Sequence, residues 1–195
     1  MPSEAGVIVS INVSRGGVPK LPVASARVSP AGLEGDGQRD LRHHGGADRA
    51  LCLYSMERIE ALQGEGHPIA PGSTGENLTI QGLDWDAIVP GTVLCVGSMS
   101  IEITAFASPC TSIRPSFADL NSNRISQTLR PGWSRVYARV AGTGVLGVNE
   151  VISLSETFHR CRWLPSISRP VARERYSYWT LKSMPSAVGA ADSML

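Results

Sequence analysis

The chain has 195 residues, 42% hydrophobic and 18% charged, enough for one domain-sized core and typical of an ordinary globular chain, not a disordered one. Its formal net charge is +1, so bulk charge gives no argument for a nucleic-acid or acidic partner. No apolar run reaches the length of a membrane span, and the N-terminus enters a strand pattern without a basic leader, so neither a membrane anchor nor a signal peptide is expected.

In chain order, "VIVSINVS" (Val7 to Ser14) alternates in period two and reads as a strand. "RGGVPK" (Arg15 to Lys20) is a turn, and "SARVSP" a short strand stopped by Pro30. From Gly32 to Asp48 the chain is a long loop with five glycines and no core pattern, a length that points to function. "RALCLYS" (Arg49 to Ser55) reads as a buried strand. Ser55 caps a helix through "MERIEALQ", which Gly64 ends. "GENLTIQGLD" (Gly75 to Asp84) holds another strand, and "IVPGTVLCVGSMSIEITAFA" reads as a hairpin turning at Gly97-Ser98. Two short helical turns fit the polar stretch from Arg114 to Arg130. "WSRVYARVAGTGVLGVNEVISL" reads as two strands joined through Gly142 to Gly144, and the pattern fades after Leu154. Many short strands, little helix and regular turn signals predict a mainly β fold, a closed or nearly closed β-barrel with a few short helices. Residues 1–154 form the barrel domain, and 155–195 an extension whose fold is not assigned.

The cysteines Cys52, Cys95, Cys110 and Cys161 are widely spaced with no CxxC pair, so free thiols in a reducing cytoplasm are expected rather than a zinc ribbon or redox dithiol. Cys52 and Cys95 lie inside apolar strand patterns and read as packed thiols. Cys110 follows Pro109, which ends the strand ladder and leaves the thiol at a rim beside Thr111 and Ser112. It is either a packed hydrophobe or a reagent, since a rim thiolate is a nucleophile and a soft-metal ligand.

In "RDLRHHGGADRA" (Arg39 to Ala50), His43 and His44 are adjacent and point oppositely in an extended chain, so they do not chelate one ion together. Gly45-Gly46 allows positive φ or close approach. With one imidazole and Arg49, the segment suits an anion such as phosphate, or is a solvated turn. "RGGVPK" ends in Lys20 and is no Walker loop; Asn77 in "GSTGENL" offers an amide or serves a turn. Tyr137 and Arg139 share one strand face, toward solvent or a pocket. Cys110 to Arg114 is too short for the phosphate loop of cysteine phosphatases, and no GxSxG elbow exists.

Taken together, "SINVSRGGVPKLPV", "GLEGDGQRDLRHHGGADRALCLYS", "GHPIAPGSTGENLTIQGLDW", "PGTVLCVGSMSIEITAFASPC" and "GWSRVYARV" resemble the stand-alone MOSC domain, named for the C-terminal domain of molybdenum-cofactor sulfurases, in that family's order from about Ile8 to Leu154. The resemblance implies a mostly β barrel with Cys110 as the signature cysteine. In related reductases of N-hydroxylated compounds the matching cysteine ligates molybdenum, while sulfur-carrier proposals give it a persulfide. It therefore implies a molybdenum-dependent oxidoreductase or a sulfur transferase, with a non-catalytic binding module for a phosphorylated ligand as a third reading. The implied cofactor is the molybdenum cofactor. Lys20, His44, Arg49 and the Gly45-Gly46 amides are placed to hold its phosphate, Asn77 and Arg139 to meet the pterin, and Thr111 and Tyr137 beside them. Pyridoxal phosphate is not expected, because the fused domain that binds it is missing and only Lys20 and Lys182 can form a Schiff base. With no flavin or iron–sulfur motif, electrons or sulfur come from a partner protein and the substrate is a small molecule. Where the family's last hairpin ends in Gly-Asp, this chain has Asn149-Glu150; Asn tolerates the left-handed conformation, so the fold is expected to survive.

Overall fold

Period-two burial runs through the strands and builds the core. In Met99–Ala107, Ile101 and Ile103 are buried while Glu102 and Thr104, which alternate with them, are partly exposed; in Arg135–Ala141, Val136, Ala138 and Val140 face inward. The computed structural model describes residues 4–37 and 45–155. Their strands are β1 (Ala5–Val13), β2 (Leu21–Val23), β3 (Ser25–Ser29), β4 (Gly32–Leu33), β5 (Leu51–Ser55), β6 (Leu78–Gln81), β7 (Val93–Val96), β8 (Met99–Ala107), β9 (Arg135–Ala141), β10 (Gly144–Gly147) and β11 (Val151–Ser155), with one α-helix, α1 (Met56–Gly64). Short 3-10 turns lie at Ala47–Arg49, Trp85–Ala87, Thr111–Ser116 and Ser122–Ile125.

The larger sheet runs β11-β7-β8-β9-β5-β6-β1-β2, and β1 also pairs with β11, so seven strands close into a barrel with β2 hanging on β1. This is the mainly β, closed-barrel architecture that the strand pattern predicts. Every barrel pair is antiparallel except β5–β6. The parallel step comes from α1, which carries the chain out of β5 before it returns as β6. Ser55 caps α1 by accepting the Arg58 N–H at 3.2 Å, while Ile59 and Leu62 bury its inner face. A second sheet, β10-β3-β4, stands apart.

The stretch after β9 differs from its two-strand reading. Its second half splits into β10, which joins the small sheet, and β11, which closes the barrel. The break falls at Asn149, whose φ of 72° is the left-handed conformation expected there. Cys52 and Cys110 are free thiols, but Cys95 is disulfide-bonded. That corrects the expectation of four free cysteines and removes it as an argument for a reducing compartment. No helix among the described residues is long and apolar enough to cross a membrane. His44 and the extension beyond Ser155, Cys161 included, lie outside the described residues.

Candidate functional site

One cavity of about 790 Å³ is lined by the loop from Ser14 to Lys20, by Gly37, Gly45 and Arg49, by Cys52 of β5, by the turn from Thr74 to Asn77, by the β8 exit as far as Ile113, and by the start of β9. Its size falls in the range of small-molecule pockets. A β-bulge between Ile103 and Ala105 bends β8 shortly before Ala107 ends it. Ser108 and Pro109 then lead to Cys110, which takes an extended backbone and opens the 3-10 turn Thr111–Ser116. The thiol is partly exposed, packs against the core edge and lines the cavity.

Cys52 lines the same cavity from the β5 wall but is of another kind. Burial pushes its thiol up to about 11, with the Arg135 charge opposing. It is protonated at neutral pH and is no nucleophile there. Its backbone N–H donates to Asn77 Oδ1 at 3.0 Å. Tyr137, opposite Cys52 in the β5–β9 register, is also pushed up, to about 12, first by burial and then by Cys52. Its hydroxyl stays a donor at any physiological pH. The Arg49 guanidinium carbon sits 5.4 Å from the Tyr137 ring centroid.

Asp36 ties the glycine loop in place. Its carboxylate accepts from the Ser14 N–H at 2.9 Å, from Lys20 Nζ at 2.6 Å and from Asn77 Nδ2 at 2.8 Å. Lys20 is thus ion-paired, and the Asn77 amide, which also reaches the Asn12 carbonyl at 3.3 Å, is engaged on both ends. Gly72 lets the two loops meet: at φ +79°, an added Cβ would stand 2.4 Å from the Lys20 carbonyl oxygen. Gly45 and Gly46 have φ of 96° and 82°, and Gly46 starts the 3-10 turn that delivers Arg49.

Of the residues singled out by sequence, Lys20, Gly45, Arg49, Asn77, Cys110 and Tyr137 line this one cavity. Gly46, Thr111 and Arg139 do not, and Ser112 stands where Thr111 was expected. Arg139 lies 3.3 Å from Asp48 and 3.5 Å from Glu102, with its side chain 45% exposed. The arginine that sequence reasoning missed is Arg135, on the same face four residues earlier, which is buried and lines the cavity. The period-two face shared by Tyr137 and Arg139 already contained it. Arg135 Nη1 donates to the Thr74 carbonyl and Nη2 to the Ser108 carbonyl at 3.3 Å, joining two walls of the cavity two residues before Cys110. Glu76, itself fully buried, accepts from the Gly72 N–H at 2.5 Å, the Thr74 hydroxyl at 2.7 Å and the Thr79 hydroxyl at 3.4 Å. Desolvation holds its carboxyl above the usual range despite these donors and the Arg135 charge.

Among the described residues no three His, Cys, Asp or Glu side chains gather to hold a metal ion.

The MOSC domain model matches residues 40–153. The chain is 29% identical over 130 residues to YflK of Bacillus subtilis (strain 168), covering 66% of this chain and 58% of that protein. It is 31% identical over 107 residues to YiiM of Escherichia coli (strain K12), covering 52% and 48%. The chain thus spans about half the length of the curated relatives it matches. Among solved structures, YiiM from Geobacillus stearothermophilus superposes with a TM-score of 0.61 at 28% identity, over 77% of this chain and 75% of that one. The YUAD protein from Bacillus subtilis, at 16% identity, shares the fold with a TM-score of 0.62 over 77% and 95%. With more than half its length under the family model and its own closed barrel, the chain belongs to the MOSC domain family.

Proposed function

We propose that the cavity binds the molybdenum cofactor, with Cys110 as a ligand to the metal, and that the protein reduces N-hydroxylated small molecules with electrons from a partner protein. The observation that carries this reading is the free Cys110 thiol at the rim of a pocket that also holds cationic, amide and aromatic groups. That set fits the group: a soft sulfur donor for the metal, cations and glycine-loop amides for a phosphate, and the aromatic side chains of Tyr137 and Phe106 beside a planar ring. When bound, the cofactor supplies a two-electron redox centre. Cys110 would be its metal ligand, Arg49 and the Gly45 amide would hold its phosphate, and Tyr137 would supply a hydroxyl donor. Arg135 and the Asp36 cluster fix the loops that carry these groups.

Expression in a cofactor-producing host tests the reading directly. Wild type should carry close to one molybdenum per chain and reduce a hydroxylamine when given a reductant. Cys110→Ser should lose metal and activity together. A wild-type chain without molybdenum but with cyanide-labile sulfur on Cys110 would replace this reading with the sulfur-carrier one.

A further inference from the structure

The chain between β8 and β9, residues 108–134, forms a strap that begins at the cavity. Cys110 caps its Thr111–Ser116 turn, and Ser112 and Ile113 line the cavity with it. Two anchors tie the middle of the strap to the connection that follows α1. Ser116 Oγ donates to the Ser73 carbonyl at 2.9 Å, and the Ala118 N–H donates to His67 Nδ1 at 3.2 Å. Between them the Phe117 ring is buried and stands edge-on to the His67 imidazole, with centroids 5.7 Å apart. The first anchor has no titrating group. The second is made by one protonation state of its imidazole only.

A backbone amide only donates, so Nδ1 is the bare nitrogen and the ring proton sits on Nε2. His67 is buried, and its Nε2 is shielded from solvent with no hydrogen-bond partner. An unmet buried donor carries a cost, so the ring is held here for its Nδ1 contact. A second proton turns Nδ1 into a donor aimed at another donor, and the Ala118 bond is lost. The charged groups facing the ring do not replace it. Glu65 Oε2 lies 3.7 Å from Nε2, beyond hydrogen-bond reach. That carboxylate is already paired with Arg130 at 2.7 Å and with Arg124 at 3.4 Å, and Arg124 also takes Asp119 at 2.9 Å. An imidazolium would thus enter a cluster in which two guanidiniums already balance two carboxylates.

We propose that His67 is a positioning residue for Cys110: its neutral ring latches the strap at Ala118, and protonation of the ring releases it. The latch is closed while the imidazole is neutral and opens as it takes up a second proton. The Cys110 wall of the cavity thereby responds to pH in the range where imidazoles change charge. The latch acts on the cavity of the proposed function but does not depend on metal being bound there.

The test is hydrogen exchange of the Ala118 amide, followed by NMR on the metal-free full chain from about pH 8 to about pH 5 and corrected for the intrinsic rate. Wild type should lose protection about tenfold on the acid side, the worth of one hydrogen bond. His67→Asn keeps an acceptor oxygen near the Nδ1 position and cannot charge, so its protection should stay constant. His67→Phe keeps the packing on Phe117 without an acceptor, so Ala118 should exchange fast at every pH. The reach to the cavity is read by iodoacetamide alkylation of Cys110, wild type relative to His67→Asn at the same pH, so that the thiolate fraction cancels. That ratio should be close to one at about pH 8 and rise at least about twofold in acid. Near-ultraviolet circular dichroism establishes that each variant is folded, and the wild-type exchange curve keeps the test open if a variant is not. Constant protection in wild type, or the same acid loss in His67→Asn, overturns the latch, and a flat alkylation ratio overturns its action on Cys110. Either failure leaves the molybdenum result standing on its own, and a chain without molybdenum leaves the latch standing.

Discussion

Arg135 and Arg139 lie on the same face of β9, four residues apart, and the barrel uses them in opposite ways. At the cavity end Arg135 is buried, braced against two backbone carbonyls and, among the described residues, without an ion-paired carboxylate. At the other end Arg139 stays half in water between Asp48 and Glu102. The strand supplies both with the same backbone and facing, so the difference comes from what closes over each end. The 72–77 turn and the β8 exit cover the first, whereas only the edge of the Ala47–Arg49 turn and a cross-strand glutamate flank the second. One residue type thus serves as a structural and electrostatic centre in one place and as a solvated surface group in the other.

The largest expected effect is at Arg135. Arg135→Met keeps the apolar stem but leaves the Thr74 and Ser108 carbonyls without donors, at roughly 1–3 kcal/mol for each unmet buried group. Removing a buried charge offsets part of this, and the net loss should be about 2 kcal/mol, read as a shift in the urea midpoint at constant slope. A loss below about 0.5 kcal/mol would mean that Arg135 does not brace the cavity walls.

This contrast also shows what the residues reveal before folding. Strands with clean alternation, the Ser55 cap, the Gly97-Ser98 turn and the left-handed Asn149 were readable because local chemistry dictates each of them. The rim position of Cys110 was readable too, since Pro109 cannot continue a ladder. Closure of β1 on β11 and the parallel β5–β6 pair were not, because register between distant strands leaves no local trace. Arg135 sits between these cases. Alternation places it on the face of Tyr137 and Arg139 but does not say where along that face the cavity opens. Glu76 was invisible for a related reason: a glutamate between Gly75 and Asn77 reads as a polar turn, and only the fold buries it.

Glu76 offers a sharper view of why Arg135 is left unbalanced. Its folded-state value is raised, so the unfolded chain gives up the Glu76 proton at a lower pH than the native state does. Below the ordinary glutamate value both states hold the proton and the stabilisation is fully present. As pH rises from there through the raised native value it is lost, at up to about 1.4 kcal/mol per pH unit. Glu76→Gln should abolish this slope while leaving Arg135 without a carboxylate as before. Chemical denaturation of both proteins across the weakly acidic to neutral range measures the difference. If wild type instead gains stability with rising pH relative to Glu76→Gln, Glu76 is an ionised partner of Arg135 and the two ends of β9 are alike after all.

The smallest effect belongs to Arg139, and its smallness is informative. Asp48 and Glu102 both lie near its Nε, but the side chain is 45% exposed and Asp48 is 71% exposed, so water and salt screen the pairs. Exposed pairs of this kind contribute about 0–1 kcal/mol, and the cost of ordering long side chains opposes them. Arg139→Met should therefore change stability by less than about 0.5 kcal/mol, and that change should vanish in high salt. Molybdenum loading and hydroxylamine reduction should match wild type, because Arg139 is not among the residues lining the cavity. A loss of loading in Arg139→Met would mean that the binding surface extends past Tyr137 along β9. The pterin contact expected of Arg139 from the sequence would then hold, and the exposed end of the strand would belong to the site.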